Sequence, residues 1–308
     1  MAFGSTRRAN GDVESDPNLQ ALVASGVTDV CIVAKAWDYH VVHALRTSLE
    51  EALAMVRDSV AFLVSHGCVV FLDAEHFFDG FKDNSGFAIA VLNAAAEGGA
   101  STLILCDTNG GTLPSEIPSI ISKVKAEIGL PFGVHFHNDS GCAVANSIIA
   151  VDLGASQVQG CLNGYGERTG NANLVPIIAA LSIKQEITTI PSQNLELLTT
   201  TARHIAEITN LPLSPQTPYV GSSAFTHKAG LHVSAIARRS DAYEHIQPAL
   251  VGNHSRFVVS EMAGRQTLLI KASELGLELT DDATTSLLQR LKDEILARIP
   301  LDSPSSPR

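Results

Sequence analysis

The chain has 308 residues, 45% of them hydrophobic and 17% charged, with a formal net charge of −11. That composition suits a packed domain rather than a disordered chain. The acidic balance argues against nucleic acid and anionic membrane surfaces, which require clustered Lys and Arg. Five scattered cysteines without a C-x-x-C pair point to buried thiols in a reducing compartment. With no signal-like apolar core and no membrane-length run, the expected setting is the cytoplasm, with no membrane partner.

In chain order, residues 1–5 read as a strand stub, and Arg7-Arg8 after it as a solvated loop or a phosphate contact. TDVCIVA (28–34) is an apolar strand. A single helix is predicted over 43–67, with Leu45, Leu49, Leu53, Val56, Val60 and Leu63 on one face; His40 and His43 flank its start as a surface pair. CVVFLDA follows from Cys68, then a helix ending near Gly98-Gly99, STLILCD from Ser101, and a Pro-led helix over 113–128. PFGVHFH, a helix over 141–153, and ASQVQGCLN from Ala155 complete the alternation. Apolar strands separated by helices imply a parallel sheet covered on both faces.

Polar residues choose among such sheets. AKAWDYH, DAEHFFDG, DTNGGT, HFHNDSG and NGYGERTGN each follow a strand, whereas the segments entering the strands are bland. Polar clusters at the carboxyl end of every strand are the pattern of a TIM barrel. An open doubly wound sheet would concentrate them at one switch point behind a Gly-rich turn, and no G-x-G-x-x-G occurs. About six strands can be counted where the fold has eight. The expectation is therefore an α/β chain: a (β/α)8-type barrel lacking its first two strands, followed by a helical subdomain. Residues 1–190 would form the partial catalytic barrel, 191–300 the helical and dimerisation region, and 301–308 a disordered tail.

His135-x-His137 is the sharpest chemical signal. Residues two apart on a strand share a face, so both imidazoles project together, as a divalent metal site requires. The competing reading is a packed or hydrogen-bonded core histidine; Asn138 and Asp139 beyond the strand end favour the metal. NGYGERTGN offers Glu167, Arg168 and Asn171, although alone it reads as a structural turn held by a Glu–Arg pair. Of Asp73 and Glu75, one is expected to face the barrel axis, and Glu75 is the candidate acid/base group. Asp107, Thr108 and Asn109 could hydrogen-bond an anionic substrate, Cys106 reads as core, and His227 and His232 are too far apart to share one metal.

HFHNDSGCAVANS, NGYGERTGNANL, DAEHFFDG, CDTNGGTLP and PYVGSSAFTHKAGLHVSA resemble the citramalate synthase branch of the 2-isopropylmalate/homocitrate synthase family over nearly the whole chain. The resemblance implies a metal-dependent acyltransferase of branched-chain amino-acid biosynthesis, condensing acetyl-CoA as co-substrate with a 2-oxo acid, pyruvate in this branch. It implies His135 and His137 as ligands of Zn, Mn or Mg with Asn171 as a weaker oxygen neighbour. It further implies Thr108 for the oxo-acid carboxylate, with Asn109 and Arg168 beside the substrate, and Glu75 holding the reacting centre. His232, supported by Tyr243, would move the proton of the acetyl methyl, acting across a homodimer. The family's Arg-Asp-Gly strand, which gives a third metal ligand, has no counterpart here: Arg57-Asp58-Ser59 falls inside a helix. The alternatives are a non-catalytic fragment of this family or a lyase of the same superfamily.

Overall fold

A computed structural model describes residues 1–227, 243–258 and 264–298. The described chain divides into two compact units, Met1–Ile177 and Ile178–Arg308.

In the first unit six strands form one all-parallel sheet in sequential order: β1 Ala2–Ser5, β2 Asp29–Lys35, β3 Val69–Glu75, β4 Thr102–Asp107, β5 Phe132–Phe136 and β6 Gln157–Gln159. Helices intervene: α1 Pro17–Ala24, then α2 Asp38–His40 and α3 Leu49–Ser65 between β2 and β3, α4 Phe77–Gly98, α5 Ile117–Glu127 and α6 Ala143–Asp152. The chain thus has the sequential β/α topology of a TIM barrel, with six strands among the described residues where a complete barrel has eight.

Register sorts the side chains into two faces, because partners in a parallel ladder point to the same side. Val30, Ile32, Val70, Leu72, Leu103, Leu105, Val134 and Phe136 lie on the outer face and are all fully buried. The opposite face carries Cys31, Asp73, Glu75, Cys106, His135 and Gln159, so both Asp73 and Glu75 face inward, contrary to the expectation that only one would. This inner face is curved. Three strand intervals separate β3 from β6, about 14 Å in a flat sheet, yet Gln159 Nε2 donates to Asp73 Oδ1 at 2.9 Å.

The helix expected over 43–67 begins later. Residues 41–45 form a π-type turn, Arg46 turns left-handed at φ 56°, and α3 starts after Ser48, whose Oγ accepts from Glu51 N–H at 3.2 Å. Ser48-x-x-Glu51 is a capping-box sequence, and its N-cap satisfies an otherwise orphaned donor more cheaply than a continuous helix would. Leu45 is therefore outside the helix, while Val56, Val60 and Leu63 are buried as expected. The Pro-led helix is likewise shorter, starting at Ile117 with Pro118 in its first turn.

Arg7 is neither solvated nor set to meet a phosphate. It is 6% exposed; Nη1 meets Glu51 at 2.6 Å, Nη2 meets Asp58 at 2.7 Å, and its backbone N–H donates to Ser59 Oγ at 2.8 Å. The Arg57-Asp58-Ser59 triplet is thus part of a clamp that ties the end of β1 to α3. Hydrogen bonding to Arg7 also holds the Glu51 carboxyl below its ordinary range.

Helix α4 sits on the β2 exit loop at Gly80. A Cβ there would lie 2.3 Å from Ala36 O and 2.9 Å from Trp37 Cα, atoms of rigid backbone. Gly80→Ala is expected to lower stability by about 1–3 kcal/mol, read as a shift in the urea midpoint at unchanged m.

Helix α7 Leu174–Lys184 runs across the division at residue 177, and in the second unit it is followed by α8 Leu198–Thr209, closed by Asn210 at φ 53°. Helices α9 Arg265–Glu274 and α10 Asp281–Arg298 follow. A short parallel pair, β7 Thr226–His227 with β8 Arg256–Phe257, adds a strand element to what reads as helical. Buried Glu244 accepts from Ser255 Oγ and lies 3.6 Å from His227 Nε2, and Thr199 Oγ1 donates to Val251 O at 2.6 Å. No helix among the described residues is long and apolar enough to cross a membrane.

Candidate active site at the strand carboxyl ends

His135 ends the inner face of β5 and His137 follows it two residues on, past buried Phe136. Their Nε2 atoms face each other at 3.3 Å. Two nitrogens bound to one tetrahedral ion at about 2.0–2.1 Å lie roughly 3.3 Å apart, so the pair has the bite of a chelate. A hydrogen bond between the rings would fit the same distance, and the neighbouring loop bears on the choice. An isolated bridge joins His137 to Asn171, which brings the NGYGERTGN loop against β5. Asn171 Nδ2 donates to Tyr165 O at 3.0 Å, leaving Oδ1 buried with no hydrogen-bond partner among the described residues. A buried amide oxygen without a donor is costly unless something electropositive meets it. Two imidazoles and the amide oxygen of a residue bridged to one of them are donor types that fit a divalent cation. Among the described residues no three His, Cys, Asp or Glu side chains group around one point, so a metal there would depend on the amide.

The loop is built to deliver that amide. Gly166 has φ 154°, and a Cβ on it would lie 2.2 Å from Asn171 Nδ2. We expect Gly166→Ala to displace the amide and weaken divalent metal binding about tenfold, the scale of a lost supporting contact, as measured by calorimetric titration; unchanged affinity would remove Asn171 from the ligand set.

Burial holds the His137 pKa below the ordinary imidazole value, helped by His135 and by Arg168. Arg168, at φ 53°, meets both oxygens of Asp139 at 2.9 and 3.0 Å and donates from Nη2 to Thr108 O at 2.7 Å. It also touches Glu167 at 3.3 Å, so the turn is held partly by the expected Glu–Arg pair and mainly by Asp139. The hydrogen bond from Arg168 keeps the Asp139 carboxyl below its usual range.

Beneath the histidines lies a second layer. Gln159 Oε1 is 3.0 Å from His135 Nδ1, and the same amide reaches Asp73. Burial raises the Asp73 pKa, opposed by hydrogen bonds from Cys31 and Gln159. The Cys31 thiol is itself pushed well up, by burial and then by Asp73. Cys106 is buried, and burial likewise raises its thiol, as a core residue requires. All five cysteines are free thiols, two of them buried.

Thr108 Oγ1 accepts from His76 N–H at 2.8 Å, which leaves its hydroxyl hydrogen to point elsewhere. Asn109 Nδ2 donates to Asp79 at 2.9 Å. Glu75 is paired with Lys35, and the pair borders a cavity of about 360 Å³ that Ser5, Thr6, Arg7, Leu45 and Met55 also line. The sequence reading missed His76. It is buried at φ 59°, edge-on to His40 at 4.2 Å and against Trp37 at 6.1 Å. Nothing local to DAEHFFDG marks that left-handed turn. His40 is accordingly no surface pair with His43: it joins this aromatic cluster, while His43 packs on Tyr39 at 4.6 Å. Tyr243 lies in the second unit, 49% exposed, and His232 lies outside the described residues.

The HMGL-like family profile matches residues 14–205, and the profile "Homocitrate synthase post-HMGL domain-like" matches residues 219–297. The (R)-citramalate synthase of Streptomyces coelicolor is 48% identical over 299 residues, covering 96% of this chain and 56% of that protein. That of Aquifex aeolicus is 50% identical over 295 residues, with 96% and 56% covered. The chain thus spans about 56% of the length of these relatives. In structure, Bacillus subtilis HMG-CoA lyase aligns with a TM-score of 0.57 at 22% identity, covering 68% of this chain and 71% of that one, which shows a shared barrel fold. The chain belongs to the HMGL-like family, and the (R)-citramalate synthases are among the proteins it is similar to.

Proposed function

We propose that this chain carries the metal and oxo-acid site of an acyltransferase that condenses acetyl-CoA with pyruvate and water to give citramalate and free CoA. The observation that carries the reading is the approach of His135 Nε2 to His137 Nε2 at the carboxyl end of β5, with Asn171 bridged to His137 through the backbone. Similarity to the (R)-citramalate synthases supplies the substrate class.

His135, His137 and Asn171 would hold a divalent cation, the hard-to-intermediate type that imidazole and amide oxygen serve together. When bound, such a cation supplies Lewis-acid polarisation of a ketone carbonyl. Thr108, its oxygen already engaged by His76 N–H, directs its hydroxyl hydrogen to the oxo-acid carboxylate. Arg168 is neutralised by Asp139 and braces the Thr108 carbonyl, so it orders the substrate loop while adding little net charge. Asn109, tied to Asp79, lines the same edge. Glu75, with Lys35, borders the cavity and holds the reacting centre. His232, supported by Tyr243, takes the acetyl methyl proton, and a homodimer would let it reach the partner's barrel.

The test is the chain supplied with Zn, Mn or Mg, acetyl-CoA and pyruvate. Free thiol appearing with citramalate, and lost in Thr108→Ala, is the expected result. A folded, metal-loaded chain that releases no CoA would overturn the acyltransferase reading for these residues.

A further inference from the structure

One side chain next to the histidines has no role in the mechanism so far. Gln159, on β6, is the register partner of His135 on β5, and its amide makes two contacts at once. Nε2 donates to Asp73 Oδ1 at 2.9 Å, and Oε1 sits 3.0 Å from His135 Nδ1. The first contact decides the second. Turning the amide over would set its oxygen against the Asp73 carboxylate at hydrogen-bond distance, acceptor facing acceptor. With Oε1 therefore facing the ring, Nδ1 must bring a hydrogen, because a bare nitrogen there would again oppose two lone pairs. A neutral His135 then carries its lone pair on Nε2, the atom that faces His137.

We propose that Gln159 is a positioning residue which, locked by Asp73, holds His135 as the Nδ1–H tautomer and so presents Nε2 for metal ligation. The proposal rests on the metal site argued above. It also accounts for a half-buried polar chain across the inner face from β3 to β6, where apolar packing alone would be cheaper. Metal-bound imidazoles are commonly set by a partner on their second nitrogen. His137 has no such aid, since its Nδ1 is buried without a hydrogen-bond partner among the described residues.

Two measurements on the 308-residue chain test this. Imidazole nitrogen shifts of metal-free wild type should show His135 as Nδ1–H. In Gln159→Leu the ring should shift towards the Nε2–H form, and Zn affinity by calorimetry should fall about 10–100-fold, the scale of a lost outer partner. The paired exchange Asp73→Asn with Gln159→Glu reverses the donor between the two side chains while leaving an acceptor for Nδ1. It should restore the tautomer and bring Zn affinity back to within about threefold of wild type, which a merely structural role would not require.

His135 found as Nε2–H in the wild type would overturn the proposal. So would a folded Gln159→Leu chain with wild-type Zn affinity, or a folded paired exchange that restores neither readout. A wild type that binds no Zn but shows the expected tautomers would instead refute the metal reading and leave the positioning role standing.

Discussion

His137→Ala should lose divalent metal binding by at least ~100-fold, above the range for a lost outer partner, and should remain folded. The ring is buried with Nε2 towards His135, and its removal leaves one imidazole and one amide, too few donors to compete with water. The cost to folding is limited by the same geometry. His137 lies just past the end of β5, and its backbone N–H still donates to Asp107 O at 3.2 Å. Titration calorimetry with Zn, beside a urea unfolding curve, separates the two effects. Retained affinity in a folded His137→Ala chain would show that the facing rings form an ordinary hydrogen bond.

The second large effect concerns folding rather than ligands. Arg7→Ala should lower stability by about 3 kcal/mol, the low end for breaking a buried ion pair. The lower end applies because Asp58 is 41% exposed and can be rehydrated, whereas Arg7 is 6% exposed and its removal leaves a void between β1 and α3. The pH dependence has a defined sign. Glu51 has a depressed carboxyl pKa in the folded chain, so its contribution is present above the unfolded carboxylate value and is lost as pH falls through the folded one. The stability gap between wild type and Arg7→Ala should therefore narrow on acidification below about pH 4.3. A gap that stays constant down to the acid transition would mean that Arg7 acts through packing alone.

How much of this was readable from the chain follows from the range of each interaction. The strands and their order were legible because an apolar run between helices is a local pattern. The His135-x-His137 pair was legible because the strand period of two is also local. The start of α3 is written in Ser48-x-x-Glu51, but the apolar periodicity upstream of it, including Leu45, continues the helical pattern and masks it. His76 left no local mark, because its left-handed turn is stabilised by Thr108 and His40, which lie far away in sequence.

Sequence alone determined that two imidazoles share a face at a strand's carboxyl end, and which family builds such a strand. Only the tertiary structure decided what surrounds them. Curvature of the sheet brings Gln159 of β6 to Asp73 of β3 across 86 residues. A backbone bridge joins Asn171, whose side-chain oxygen is buried without a hydrogen-bond partner among the described residues, to His137. Arg7 is drawn into a clamp by carboxylates 44 and 51 residues away. Each depends on strands and helices from separate parts of the chain meeting in space, and no period or motif within one segment encodes that meeting.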